Sequence, residues 1–162
     1  MGRLKNSLLP EGFRVDHGTT TDRALLLKFL HRSYREAYPE AGFAHLQNTL
    51  YNYFTADTPL WWARNKAGVV VGCLWLGSSI DQITGDRHSH IFLIYVLPNY
   101  RRRGIGSALM QIAEDHAKAQ GDRQITLQVF TVNETAQRLY ENRDFHPHAV
   151  LMSKSLSEKA SD

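Results

Sequence analysis

A segment near residue 100 joins an apolar run to a turn rich in glycine and arginine. Residues 96–109 read VLPNYRRRGIGSAL. The start of a helix leaves backbone N–H groups unpaired and carries partial positive charge, and Gly104 and Gly106 lack side chains that would hold an anion at a distance. The arginines at 101–103 add positive charge beside this turn. The segment therefore predicts a site for a phosphate-bearing ligand, with a glycine turn and a solvated basic edge as the alternative.

The residues around the glycines argue against two common phosphate-binding loops. A nucleoside-triphosphate loop needs Lys followed by Ser or Thr after its second glycine, whereas Ser107 and Ala108 follow Gly106. A dinucleotide-binding fingerprint needs a third glycine where this chain has Leu109, and it belongs to a doubly wound parallel sheet.

Hydrophobic periodicity predicts the elements that position this segment. Residues 88–97 are mostly apolar and are followed by Pro98, as expected for a buried central strand. Two-residue alternation places five of its residues on one face if no bulge intervenes, namely His88, His90, Phe92, Ile94 and Val96. A helix over residues 104–120 comes next, and Gly121 ends it.

The remaining pattern predicts an α+β fold. Helices are expected between Thr19 and Pro39, at 45–54 and at 133–142, and strands at 13–15, 60–64, 69–76, 124–130 and 145–153. An antiparallel meander that leads into a βαβ unit gives a mixed, mostly antiparallel central sheet flanked by helices, in α/β/α-like layers.

Length, charge and cysteine content limit the class of protein. A chain of 162 residues with 43% hydrophobic residues can bury one core, so we expect a single domain over 1–162, with a flexible arm at 1–12 and a flexible tail at 156–162. The net charge of +3 makes nucleic-acid binding the least favoured function. The lone Cys73, the lack of a signal pattern and the lack of an apolar run of about 18 residues predict a cytoplasmic protein without a membrane partner.

Two motifs, in this order, resemble those of the GNAT superfamily of acetyl-CoA-dependent N-acetyltransferases. Arg101, Gly104 and Gly106 occupy the positions of the family's Arg/Gln-x-x-Gly-x-Gly/Ala signature. Residues 133–140 are similar to its Asn-x-x-Ala-x-x-x-Tyr segment. The resemblance implies the family's acyl-CoA N-acyltransferase fold. Asp144 departs from the family's usual glycine, which leaves the shape of that turn open.

The resemblance also implies that acetyl-CoA is the cosubstrate. In the family, backbone amides of the glycine loop hold the pyrophosphate, and the end of the fourth strand offers main-chain groups to the pantetheine arm. Carried over to this chain, the expected cofactor-binding residues are Ile94, Tyr95, Val96, Arg101, Arg102, Arg103, Gly104, Ile105, Gly106, Ser107 and Asn133.

Direct acetyl transfer to an amine needs a base and an acid. His90 lies in the strand where the family often places a Glu or a His pair, and its ordinary pKa of about 6.5 suits removal of a proton from the amine. Tyr140 shares a helix face with Asn133, and a phenol with a pKa of about 10 can protonate a leaving thiolate with a pKa of about 8.5. A hydrogen-bonded buried His and a Tyr packed in a helix–sheet seam are the alternatives.

Other residue groups carry weaker expectations. The four imidazoles at 88, 90, 146 and 148 lack a Cys or carboxylate at ligand spacing, so no metal is expected. The aromatic residues at 51, 53, 54, 61 and 62 favour core packing over an acceptor pocket, and Asp81 and Asp86 favour turns over cation binding. The sequence does not identify the amine acceptor, and it leaves open whether the protein forms a homodimer. The alternative function is a non-catalytic acyl-CoA-binding sensor or interaction module.

Overall fold

A computed structural model describes residues 9–157, so most of the predicted arm and tail lies outside the described residues. The described residues form two compact units, one that ends at Gln128 and one that begins at Val129. The prediction of a single domain over 1–162 stays a prediction. None of the helices within residues 9–157 is long and apolar enough to cross a membrane.

Among residues 9–157, the five strands and three of the four α-helices lie in the first unit, and the fourth α-helix lies in the second. In chain order they are β1 (Arg14–His17), α1 (Arg23–Ala37), α2 (Leu46–Tyr53), β2 (Leu60–Arg64), β3 (Val70–Ile80), β4 (Arg87–Val96), α3 (Ile105–Ala119), β5 (Ile125–Leu127) and α4 (Glu134–Glu141). These bounds confirm each predicted helix and all but the last predicted strand, most of them to within a few residues.

The sheet has the order β1-β2-β3-β4-β5. The neighbours from β1 to β4 pair antiparallel, and β4 pairs with β5 in parallel because α3 carries the chain back across the sheet. The prediction of an α+β fold with a mixed, mostly antiparallel sheet is confirmed.

Alternate residues of β2 face the two sides of the sheet. Trp62 packs against Phe29 of α1, with ring centroids 5.6 Å apart, and belongs to a buried cluster that includes Leu50 of α2. The neighbouring Trp61 packs against His116 of α3, with ring centroids 5.4 Å apart. Helices α1 and α2 therefore cover one face, here called the α1 face, and α3 covers the other, the α3 face.

Strand β4 contains a bulge at Phe92. Leu93 pairs with Trp75 and Ile91 pairs with Leu76, so Phe92 is an extra residue opposite β3. Its ring lies 4.7 Å from that of Trp75, in space that requires glycine at position 77, because a Cβ there would lie 1.8 Å from the ring.

The bulge changes which residues of β4 share a face. His90 lies beside Phe92 on the α1 face, with ring centroids 5.4 Å apart. Beyond the bulge, Tyr95 joins the cluster on the α1 face, so Ile94 and Val96 point to the α3 face. The prediction that the alternate residues from 88 to 96 share one face required a strand without a bulge; the bulge breaks this condition, and Ile94 and Val96 lie on the face opposite His90.

The predicted last strand at 145–153 is also wrong. The described part of this segment pairs with no strand, and Val150, Leu151 and Met152 are at least 80% exposed. A short apolar run has the composition of a strand, but a strand forms only where a partner completes its backbone hydrogen bonds.

Candidate active site

The predicted anion-binding turn lies between β4 and α3. Gly104 has φ +87° and immediately precedes α3, whose first internal hydrogen bond runs from the N–H of Ala108 to the carbonyl of Gly104 at 3.1 Å. The N–H groups of residues 105–107 therefore have no partner inside the helix. A Cβ at Gly104 would meet no atom within 4 Å, so the left-handed backbone, rather than a lack of space, favours glycine here.

The arginines beside this turn use their side chains elsewhere. Arg101 donates from Nη2 to both carboxylate oxygens of Glu36, at 3.0 and 2.8 Å, and from Nε to the carbonyl of Val96 at 2.8 Å. Arg103 donates to the carbonyl of Asn99 at 3.3 Å. Arg102 is exposed and has φ +63°. The groups of the turn that could face an anion are therefore its backbone N–H groups and the exposed side chain of Arg102.

Glu36 also joins α1 to the end of β4. The hydroxyl of Tyr95 donates a short hydrogen bond to Glu36, and the guanidinium of Arg101 lies 5.3 Å from the centre of the Tyr95 ring. Burial, together with the hydrogen bond to Glu36, raises the pKa of Tyr95 to about 12. The contact positions the glycine turn relative to β4.

The end of β4 has a free edge within residues 9–128. The ladder with β5 stops at the pair of Ile91 with Leu127, whereas β4 continues to Val96. Beyond this pair, only β3 supplies a strand partner to β4 within residues 9–128, so main-chain groups on its other edge are available to an extended ligand arm, except the carbonyl of Val96, which accepts from Arg101. The turn and this edge are adjacent, because the turn follows the end of β4 directly.

The two histidines of β4 meet at one hydroxyl. Oγ1 of Thr126, on β5, lies 2.9 Å from Nε2 of His88 and 2.8 Å from Nδ1 of His90. His88 is buried and His90 is half-buried. Burial, and secondly the nearby His88, lowers the pKa of His90 below its ordinary value, so His90 is neutral at neutral pH.

The environment of His90 is aromatic on one side. Phe92 contacts His90 and also Tyr53 of α2, whose ring centroid lies 5.6 Å away. Tyr53 is 53% exposed, whereas Trp61 and Trp62 are at most 3% exposed. Trp61 and Trp62 are therefore core residues, as expected from the sequence. Tyr53 and Phe92 are the aromatic groups near the candidate base.

The second unit contains Asn133 and Tyr140. Asn133 precedes α4, and its Oδ1 accepts a hydrogen bond from the N–H of Ala136 at 3.2 Å, so it caps the helix. Tyr140 packs against Phe145, with ring centroids 5.9 Å apart, and burial raises the pKa of its hydroxyl to about 12. Asp144 has φ +62°, so the turn keeps the left-handed backbone that glycine also adopts.

Residues 26–145 match the model of the acetyltransferase (GNAT) family. The chain belongs to the GNAT acetyltransferase family. The motifs at 96–106 and 133–140, from which the resemblance was read, both lie inside the matched range. Among residues 9–157 of this GNAT chain, no group of three or more His, Cys, Asp or Glu side chains could hold a metal ion.

Relatives of this GNAT chain include two curated acetyltransferases. Mycothiol acetyltransferase of Propionibacterium freudenreichii is 28% identical over 140 residues, which are 85% of this chain and 44% of that protein. An N-alpha-acetyltransferase of Sulfurisphaera tokodaii is 29% identical over 147 residues, which are 86% and 83% of the two chains. The GNAT chain thus spans less than half the length of the first relative.

A solved structure has the same fold. A predicted acetyltransferase of Clostridium acetobutylicum, solved with acetyl-CoA, superposes with a TM-score of 0.73 at 16% identity, over 89% of this GNAT chain and 96% of that protein.

Sequence reasoning did not find every residue of the site. Glu36 lies 65 positions from Arg101, and Thr126 lies 36 positions from His90. Asp81 was assigned to a turn, which it does form, but it also contacts Gln124 at 2.6 Å. Neither Glu36 nor Thr126 belongs to a recognisable motif, so only the pairing of β4 with β5 and the packing of α1 reveal their contacts.

Proposed function

We propose that this GNAT chain is an acetyl-CoA-dependent N-acetyltransferase that moves the acetyl group directly to a primary amine. The observation that carries the proposal is the junction of β4 and α3, where a free strand edge adjoins a glycine turn with unpaired backbone N–H groups. In the reaction, the amine nitrogen forms a bond to the thioester carbonyl carbon and the carbon–sulfur bond breaks. The amine loses a proton and the thiolate gains one.

The cosubstrate would be held mainly by main-chain groups. The pyrophosphate is assigned to the turn at 102–107 and the pantetheine arm to residues 94–96. Arg101, which is held by Glu36 and Val96, acts on the shape of the turn rather than as a free cation. Asn133 is proposed to act on cosubstrate binding indirectly, because its side chain caps the start of α4.

His90 is the proposed base and Tyr140 the proposed acid. His90 is neutral and half-buried beside Phe92, so one of its two ring nitrogens has a lone pair that can accept a proton. Tyr140 keeps its hydroxyl proton over the whole working pH range, because burial raises its pKa to about 12. The lowered pKa leaves His90 unprotonated and the raised pKa keeps Tyr140 protonated at neutral pH, although the same shifts make His90 a weaker base and Tyr140 a weaker acid.

The acceptor is proposed to be an amine with an apolar neighbouring group. The partly exposed Tyr53 and Phe92 offer aromatic surface beside His90. The N-alpha-acetyltransferase relative supports a peptide N-terminus as one such acceptor, and mycothiol acetyltransferase supports a small molecule. We further propose a single cytoplasmic domain that acts without nucleic acid or membrane.

Calorimetry with acetyl-CoA tests the cosubstrate assignment. We expect binding at concentrations of about 100 µM, on the order of the upper KM range of enzymes. Gly106→Trp should abolish it, because the indole would occupy the anion turn. Gly42→Trp is the matched control, since a Cβ at this exposed loop glycine would meet no atom within 4 Å. Lack of binding by the parent protein would contradict the proposal.

Thiol release separates catalysis from binding alone. Acetyl-CoA is incubated with the protein and a panel of amines that includes peptides with apolar first residues, and free thiol is measured. Release that depends on the amine is expected. Binding without any amine-dependent release would favour the sensor function.

A further inference from the structure

Five polar side chains form a continuous chain beneath the candidate base. They belong to the first unit and come from β4, β5 and the segments that precede these strands. Successive contacts run from Asp81 Oδ2 to Gln124 Nε2 (2.6 Å), from Gln124 Nε2 to His88 Nδ1 (3.4 Å), from His88 Nε2 to Thr126 Oγ1 (2.9 Å) and from Thr126 Oγ1 to His90 Nδ1 (2.8 Å). Which atom donates in each of these hydrogen bonds depends on which atom donates in the preceding bond of the chain.

Asp81 fixes the first direction because it is an acceptor. Its carboxylate is buried, and Oδ1 accepts hydrogen bonds from the N–H groups of Ile83 and Thr84 at 2.7 and 2.8 Å. Oδ2 accepts from Gln124 at 2.6 Å. Because a carboxylate oxygen accepts hydrogen bonds, it holds the amide of Gln124 with the nitrogen, and not the oxygen, on its side.

The orientation of Gln124 then determines which nitrogen of His88 carries a proton. The amide nitrogen presents only hydrogens to Nδ1 of His88. An N–H at Nδ1 would point at these hydrogens, whereas an unprotonated Nδ1 accepts one of them. The proton of neutral His88 therefore belongs on Nε2, which faces Thr126.

The hydroxyl of Thr126 links the protonation of His88 to that of His90. Its hydroxyl accepts from His88 Nε2–H and has one hydrogen of its own to donate, which goes to Nδ1 of His90. We propose that Asp81 and Gln124, acting through His88 and Thr126, fix the tautomer of His90 so that its proton lies on Nε2. These four are positioning residues for His90.

The proposal affects how His90 exchanges protons. Within residues 9–128, Nε2 of His90 has no hydrogen-bond partner, so it is the nitrogen available to a substrate or a water molecule. In the resting tautomer this nitrogen donates. To accept a proton there, neutral His90 must first carry its proton on Nδ1, with Thr126 turned to donate to Nε2 of His88 and the proton of His88 moved to its Nδ1, so that both histidines change tautomer and no proton is gained or lost. This consequence for catalysis rests on the proposed function, whereas the tautomer itself does not.

Nitrogen NMR of protein labelled with ¹⁵N-histidine tests the proposal. Long-range ¹H–¹⁵N spectra distinguish the two neutral tautomers, and His88→Gln and His90→Gln variants assign the signals. At a pH where His90 is neutral, we expect its Nε2–H form to exceed the Nδ1–H form by about tenfold, the ratio that one modest hydrogen bond of about 1.4 kcal/mol supports.

Two variants separate the direction of the chain from simple packing. Thr126→Val removes the bridge, so the excess of the Nε2–H form of His90 should fall to the smaller excess of a solvated neutral histidine, while His88 keeps its proton on Nε2. Thr126→Ser, the matched control, keeps the hydroxyl and should preserve the ratio. Gln124→Leu leaves the bridge but removes the group that sets its direction, so both histidines should change together.

The outcomes are decisive without any assay of acetyl transfer. Predominantly Nδ1–H His90 in the parent protein would overturn the proposal, and so would an unchanged tautomer ratio in both Thr126→Val and Gln124→Leu. If Thr126→Val fails to fold, Gln124→Leu still decides. An absence of acetyltransferase activity with the expected tautomer would contradict the proposed function alone.

Discussion

The proposed proton transfers involve two side chains whose surroundings shift their pKa values in opposite directions. His90 is neutral at neutral pH, because burial and the neighbouring His88 lower its pKa. Tyr140 stays protonated, because burial raises its pKa to about 12. At the scale of single residues, the assignments are therefore tested by removing one titrating group at a time.

His90→Ala and Tyr140→Phe should affect different parts of the reaction. His90→Ala should lower kcat/KM by about 10²–10⁴-fold and remove the acid limb of the pH profile, which should lie below pH 6.5 in the parent because the pKa of His90 is lowered. Tyr140→Phe keeps the ring contact with Phe145 and removes the hydroxyl, so turnover should fall while acetyl-CoA affinity is preserved.

The measurements are pH–rate profiles with one accepted amine, with cosubstrate binding followed separately. An unchanged acid limb in His90→Ala would show that another group or water, and not His90, removes the proton of the amine. Parental turnover in Tyr140→Phe would remove the hydroxyl from the mechanism and leave the fold and the cosubstrate site untouched.

At the scale of the elements, the pairing of β4 with β5 positions the candidate base, because it places Thr126 opposite His90. Asp122, just before β5, holds this register: its carboxylate accepts from the N–H of Ser89 at 2.8 Å and from Arg87 at 2.7 Å. Burial of Asp122 opposes ionisation, but the hydrogen bonds from Ser89 and Arg87 outweigh it and hold the pKa below its ordinary value of 3.8.

Asp122→Asn should therefore destabilise the protein in a pH-dependent way. Replacing one acceptor oxygen by an amide group should cost about 1–3 kcal/mol in the free energy of unfolding at neutral pH. A depressed pKa contributes stability above the unfolded value of 3.8, and that contribution disappears as the pH falls through the folded pKa. The difference between variant and parent should consequently shrink in acid.

Urea denaturation at pH 7 and at several values below pH 3.8 provides the measurement. Asp57→Asn is the control, since this exposed residue of the turn before β2 should change stability little at any pH. A stability difference for Asp122→Asn that stays constant into acid would show that the carboxylate charge is not what holds the register.

At the scale of the whole molecule, burial is concentrated in the first unit. Strand β3 has seven consecutive buried residues, from Val71 to Gly77. In contrast, no residue of the described range 129–157 is buried. Since local stability follows buried apolar contact, the two units should differ in how readily their backbone amides open.

Hydrogen exchange followed by mass spectrometry should show this difference directly. Amides of β3 are expected to exchange only through the largest openings of the molecule, whereas amides of α4 should exchange at least about tenfold faster. Peptides from α3, which has seven buried residues, serve as the internal helical reference. Equal protection of α3 and α4 would contradict this view of the second unit.

The sequence alone determined the β4–turn–α3 segment and the family. Pro98, Gly104 and Gly106 act through local backbone geometry, which neighbouring residues specify, and the apolar periods specify the helices and most strands. The cap at Asn133 is local in the same way.

The tertiary structure decided the rest. The bulge at Phe92, which reversed the face of Ile94 and Val96, depends on glycine at position 77 in a different strand. The engagement of Arg101 by Glu36, and the chain from Asp81 to His90, join residues that are far apart in sequence. Such contacts arise only when strands pair and helices pack, because a side chain's spacing in sequence does not determine which distant hydrogen-bond partner will lie within about 3 Å.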